Sequence, residues 1–179
     1  MIRDITFLHF LTTTSITELL FLYLIRFTTL FGKKINNWYT NLRLTAALLD
    51  FLSFIIGFYL AKISYVYLVD NNYISNHYEF IKFLIIMLII QIVHDVSFYF
   101  LAILPTKSGI NIVMDEFKKY TIDSNIVPIL GDSLMYLIAT PILFYLILNL
   151  NNDTNIFISI LSIYIIIYLV YQKPYIKMN

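Results

Sequence analysis

The sequence has no cysteine, which excludes disulfides, thiolate metal ligands, palmitoylation and cysteine nucleophiles together. Charge is scarce as well: 13% of the 179 residues are Asp, Glu, Lys or Arg, about half the share usual in a soluble domain. The net charge of +1 gives no whole-chain case for nucleic acid as a partner, and Met1-Ile2 offers no myristoylation site. No HExxH spacing supports a metal centre. No TVGYG filter or arginine-rich sensor helix supports a voltage-gated potassium channel. Internal repeats and low-complexity linkers are also missing.

What is present is apolar sequence in long runs, 60% of the chain by residue. A membrane helix needs about 20 mostly apolar residues, and the runs predict spans at about 5–31, 44–68, 79–104, 126–150 and 156–171. The first run is too long for a typical signal peptide and reads as an uncleaved span. The expected fold is all-α, a polytopic transmembrane helical bundle forming one membrane domain over 1–179. The alternative has four spans and an interfacial first segment. Gly32 to Arg43 reads as a short polar loop. Pro105 should end the third span, and Asn111 should cap a surface helix at about 111–120, with Asp115 and Lys119 paired on one side and Val113, Phe117 and Tyr120 as its apolar edge on the membrane. Pro141 should kink the fourth span. The fifth carries no charge and should be the most lipid-exposed.

Basic residues set the expected orientation. Lys33, Lys34 and Arg43 flank the first loop, Lys107, Lys118 and Lys119 the third, and Lys173 and Lys177 the tail. The positive-inside rule then puts the N-terminus outside and the C-terminus in the cytosol. Asn152-Asp153-Thr154 is a glycosylation sequon on the outer side, too near the membrane to favour its use. Trp38 and the many tyrosines at span ends read as interfacial anchors. His9 and His77 read as structural or solvated.

Ionisable residues inside spans are costly and mark polar interiors. Glu18 shares a helical face with Thr14 and Ser15, which could hydrogen-bond to it, while Arg26 can snorkel outward. Asp50 lies on a small-residue stripe with Ala46, Ser53, Gly57 and Ala61. Gln91, His94, Asp95 and Phe98 follow the i, i+3, i+4, i+7 rule. At 1.5 Å per residue, Asp132, Asp50, Asp95 and Glu18 lie roughly 9, 10, 14 and 20 Å from the inner ends of their helices. The candidate site residues are therefore Asp50, Asp95, Asp132, His94 and Glu18, with Arg26 and Arg43 as nearby basic partners. Some of the acids must be protonated, hydrogen-bonded or bound to a cation.

One reading makes this layer packing glue, with Asp50 held to Ser53 and His94 to Asp132. Others make it a divalent metal site, a proton or ion path, or an aspartyl dyad in which two carboxyls share a proton. Leu130-Gly131-Asp132 resembles the end of the GxGD motif of presenilin-like and prepilin peptidases, with Ile129 where the first glycine belongs and Asp50 or Asp95 as the second acid.

His94-Asp95 with Phe98-Tyr99, then Pro105, Gly109 and Asn111, then Asp115, Phe117 and Tyr120, and finally Gly131-Asp132-Ser133 resemble a multi-span membrane protein recurrent in nucleocytoplasmic large DNA viruses. The resemblance implies a protein of the viral internal membrane, in the virion or at its assembly site, and brings no catalytic residues with it. The expected function is structural or in assembly, with the third loop facing capsid or other membrane proteins; an intramembrane enzyme or ion pathway is the alternative. No cofactor is assigned, and a homo-oligomer stays open.

Overall fold

The computed structural model describes residues 1–124 and 127–174. Asn125 and Ile126, where the fourth span was expected to begin, and Lys177 of the basic tail lie outside the described residues. Among the described residues the fold is all-α, and five helices are long and apolar enough to cross a membrane. After a short turn at Ile2–Asp4 come α1 (Phe7–Phe27), α2 (Gly32–Leu42), α3 (Leu44–Asp70) and α4 (Glu79–Phe98), the last continuing through a π-helical turn to Ile103. Then follow α5 (Ile112–Ser124), α6 (Val127–Pro141) and α7 (Asn152–Tyr171). Past Pro141 the α6 hydrogen bonding widens into a π-helical turn, Ile142–Leu146, as expected for a proline that frees a carbonyl.

Two expectations about elements are corrected. Gly32 to Arg43 is not a loop: α2 occupies it, because Ile35, Trp38, Tyr39 and Leu42 at i, i+3, i+4, i+7 give the segment an apolar face. Gly32 enters the helix at φ +74° and Arg43 leaves it at φ +52°, so a sharp corner joins α2 to α3. The Arg43 guanidinium, 5.6 Å from the Tyr171 ring centroid, covers the end of α7. Helix α1 is the most enclosed of the five candidate spans and packs on α7, α3 and α6. And α7 is not the most lipid-exposed: 28% of its apolar stretch is buried against 11% for α4. Asn155, Ser159 and Ser162 are buried: Ser159 Oγ lies 2.9 Å from Thr12 Oγ1 of α1, and the Asn155 carbonyl accepts from the same hydroxyl at 3.2 Å. Uncharged polar residues at helical spacing let two helix backbones approach closely.

Helix α7 runs parallel to α1, since Thr12 meets Ser159 near their starts and Arg26 meets Val170 near their ends. Arg26 does not snorkel outward. It is buried, donating to the Val170 carbonyl at 2.8 Å, Thr40 Oγ1 at 3.0 Å and the Asn36 side chain at 3.4 Å. These bonds bind α1, α2 and α7 at one end of the bundle. At the other end Arg3 pairs with Asp70, and the Ile2 amide donates to Glu79 at 3.3 Å.

Between the ends lies an aromatic layer. Phe54 stacks on Tyr136 with ring centroids 3.9 Å apart, and Phe58, Phe83 and Phe144 continue it. Gly57 is what lets Tyr136 lie against α3, because a Cβ there would collide with its hydroxyl.

Candidate functional site

The acids gather on the α2 side of that aromatic layer. The inward face of α2 brings Tyr39 between α1 and α3, with its hydroxyl 3.0 Å from Glu18 Oε1 and 2.8 Å from Asp50 Oδ2. Trp38 Nε1 donates to the same Asp50 oxygen at 3.3 Å. A phenol has one hydrogen, so two carboxyls on one hydroxyl are satisfied together only if one of them carries a proton and donates back. Burial, then the neighbouring Asp50 and Glu18, push the Tyr39 phenol well above its usual range, so it stays a donor.

These partners differ from those expected. Glu18 does not use its own helix: Ser15 Oγ donates to the Leu11 carbonyl at 2.7 Å, and the buried Thr14 hydroxyl finds no partner. Ser53 Oγ donates to the Asp50 main-chain carbonyl at 2.9 Å and leaves the carboxyl alone. A helical hydroxyl reaches its own i−4 or i−3 carbonyl more readily than a side chain one turn away.

On α4, Asp95 accepts from Gln91 Nε2 at 2.5 Å, while Gln91 Oε1 accepts from Ser133 Oγ of α6 at 2.7 Å. Asp132 of α6 borders the same space as Asp95. His94 is not joined to Asp132: its Nδ1 lies 3.0 Å from Asp95 Oδ1, its ring stacks on Phe98, and about half of its side chain is exposed. Arg26 and Arg43, the expected cationic partners, are committed to other contacts. His9 Nδ1 accepts from the Thr6 amide at 2.9 Å and serves as a helix cap.

Asp50, Asp95 and Asp132 line one cavity of about 520 Å³, whose walls include Trp38, Tyr39, Phe98, Phe117 and Tyr120. Glu18 reaches it only through Tyr39. A second, smaller space of about 60 Å³ touches the same three aspartates and ends against Phe54 and Tyr136. Gly131 faces open space, so nothing fills the position beside Asp132.

Helix α5 closes the cavity on its α2 side. Asn111 Oδ1 caps it, accepting from the Val113 and Met114 amides at 2.9 and 3.2 Å, as its position predicted. Its apolar edge turns to protein and not to lipid, with the Phe117 ring centroid 4.5 Å from Trp38 and 5.4 Å from Phe98. The expected Asp115–Lys119 pair does not form. Lys119 pairs with Glu116 at 2.6 Å, and Asp115 accepts from the Gly109 amide at 3.0 Å. Asn41 donates to Glu116 at 2.9 Å, clasping α2 to α5. Lys119 first, then Asn41, hold the Glu116 carboxyl below the usual range. Burial, then Asp132 and Asp50, push the Tyr120 phenol up, which keeps it neutral beside the acids.

Sequence reasoning thus located Asp50, Asp95 and Asp132 together and missed the cavity's aromatic wall. The spacing of Ile35, Trp38, Tyr39 and Leu42 carried the signal that could have found Trp38 and Tyr39. Among the described residues, no group of three or more His, Asp or Glu side chains is placed to hold a metal ion. Comparison with protein-family models, with curated proteins and with solved structures returns no match, so the chain is characterised by its own geometry as a membrane-embedded helical bundle with an acid-lined cavity.

Proposed function

We propose that this is an integral membrane protein of a large DNA virus, at work in the virion's internal membrane or its assembly site, and that its acid-lined cavity is a proton-exchanging site of the aspartyl type. The observation that carries the reading is the meeting of Asp50, Asp95 and Asp132, from three helices, on one open volume. Carboxyls that share one site can hold a proton between them, and such a pair can activate water or grip a cationic group. Packing glue would instead pair each acid with serine or threonine in a dry core.

Other features support parts of the proposal. The aromatic layer of Phe54, Phe58, Phe83 and Tyr136 ends the polar region, which favours a closed-ended site over a conducting path. Of the thirteen residues that carry the viral resemblance, seven line the cavity, among them Asp95, Phe98, Tyr120 and Asp132. Lys33, Lys34, Lys118 and Lys119 sit on α2 and α5 at the cavity end, and the positive-inside rule makes that end cytosolic, with the N-terminus outside. Capsid or other membrane proteins would meet the molecule there.

One experiment addresses both parts. Membranes from purified virions are treated with dicyclohexylcarbodiimide, which modifies protonated carboxyls in apolar surroundings, and peptides are mapped by mass spectrometry. The expected result is this chain among the virion proteins with the label on Asp95 or Asp132. Absence of the chain from virions overturns the viral location, and a chain left unlabelled at both residues overturns the site.

A further inference from the structure

Resting on that reading of the cavity, we infer that it takes the cationic head of a single-chain amphiphile, an alkyl ammonium, entering from the lipid side. Its volume of about 520 Å³ falls within the range of about 300–1,000 Å³ typical of small-molecule sites. Three carboxyls line it, and the two arginines that could have neutralised them are engaged elsewhere. Trp38, Phe98, Phe117 and Tyr120 put four aromatic rings in the same wall. Ammonium groups are attracted both to aromatic faces and to carboxylates, and a quaternary ammonium suits such surroundings because it needs no hydrogen-bond acceptors. A phosphate or sulfate head is repelled by whichever of these carboxyls is ionised, whereas an alcohol gains no charge attraction from them.

The remaining wall is apolar and suits an alkyl chain. Val96 and Phe100, 40% and 60% exposed on the flank of α4, belong to it, so the volume extends to the perimeter of the bundle. Gly131 leaves room beside Asp132 for the head to approach.

Trp38 is the only tryptophan in the chain and stands in the cavity wall, so its fluorescence reports occupancy. The full chain in phosphatidylcholine nanodiscs is titrated with three bromoalkyl probes of equal chain length, bearing trimethylammonium, hydroxyl or sulfate heads. The ammonium probe should reach half-quenching at a concentration about ten-fold below that of the alcohol, with the sulfate weakest. Gly131→Leu, which fills the open space, should erase the preference. Asp132→Asn, checked for retained helicity by circular dichroism, should reduce it and keeps the test decisive if the leucine variant fails to fold. Equal quenching by the three probes, or a preference that survives both substitutions, overturns the inference. Carbodiimide labelling at Asp95 or Asp132 without an ammonium preference overturns this ligand class alone, whereas failure of both overturns the site with it.

Discussion

Tyr39→Phe should lower the stability of the folded chain by about 3 kcal/mol, because hydrogen bonds to carboxyl groups contribute about 1.5–3 kcal/mol each and a buried partner left unpaired is costly. The deleted atom is one oxygen, but it serves Glu18 at 3.0 Å and Asp50 at 2.8 Å, and Glu18 is almost fully buried. Trp38 can still donate to Asp50, so Glu18 bears most of the loss. Unfolding titrations in mixed micelles measure the effect. Adding Glu18→Gln to the phenylalanine variant should cost much less than it does in the wild type, the non-additivity expected of residues in one network. A loss below about 0.5 kcal/mol for Tyr39→Phe, the range of an ordinary surface change, would remove Tyr39 from the centre of the polar layer.

Gly57→Ala sets two effects of opposite sign against each other. Replacing a mid-helix glycine by alanine favours the helix by about 1 kcal/mol. The new methyl group, however, runs into the Tyr136 hydroxyl, and the ring carbon bearing it stands 3.1 Å away. Tyr136 has little room to yield, since its ring is stacked on Phe54 and held edge-on by Phe58. Overpacking of this kind costs about 3 kcal/mol at the upper end of its range, so the variant should be less stable by about 2 kcal/mol. The same micelle titration reads it. A stabilised variant would mean that helix propensity wins and that α3 and α6 do not meet closely at the aromatic layer.

The spans were legible because length and hydropathy alone define them: α3 and α4 begin where the sequence suggested, and the Asn111 cap follows from one side chain ahead of a helical pattern. Helix α2 was hidden by its own polarity. Lys33, Lys34, Asn36, Asn37 and Asn41 make it resemble a loop, while four apolar residues on one face make it a helix. The burial of α7 is hidden for a related reason, since absence of charge is not absence of polar contact, and Ser159 meets Thr12 of α1. The shared level of Asp50, Asp95 and Asp132 could be counted along each helix. Their partners could not, because the Tyr39 bridge to Glu18 spans 21 positions and the Gln91–Ser133 bond spans 42, and spacing on one helix says nothing about what its neighbour presents.

The meeting of acids from separate helices is tested most directly by pairs of cysteines, in a chain that has none of its own. Asp95→Cys with Asp132→Cys, oxidised by copper phenanthroline in native membranes, should form an intramolecular disulfide, while His94→Cys with Asp132→Cys should not, because the His94 ring is held on its own helix by Asp95 and Phe98. Failure of the first pair to cross-link, or equal cross-linking of both pairs, would contradict the convergence of α4 and α6 on one acid cavity.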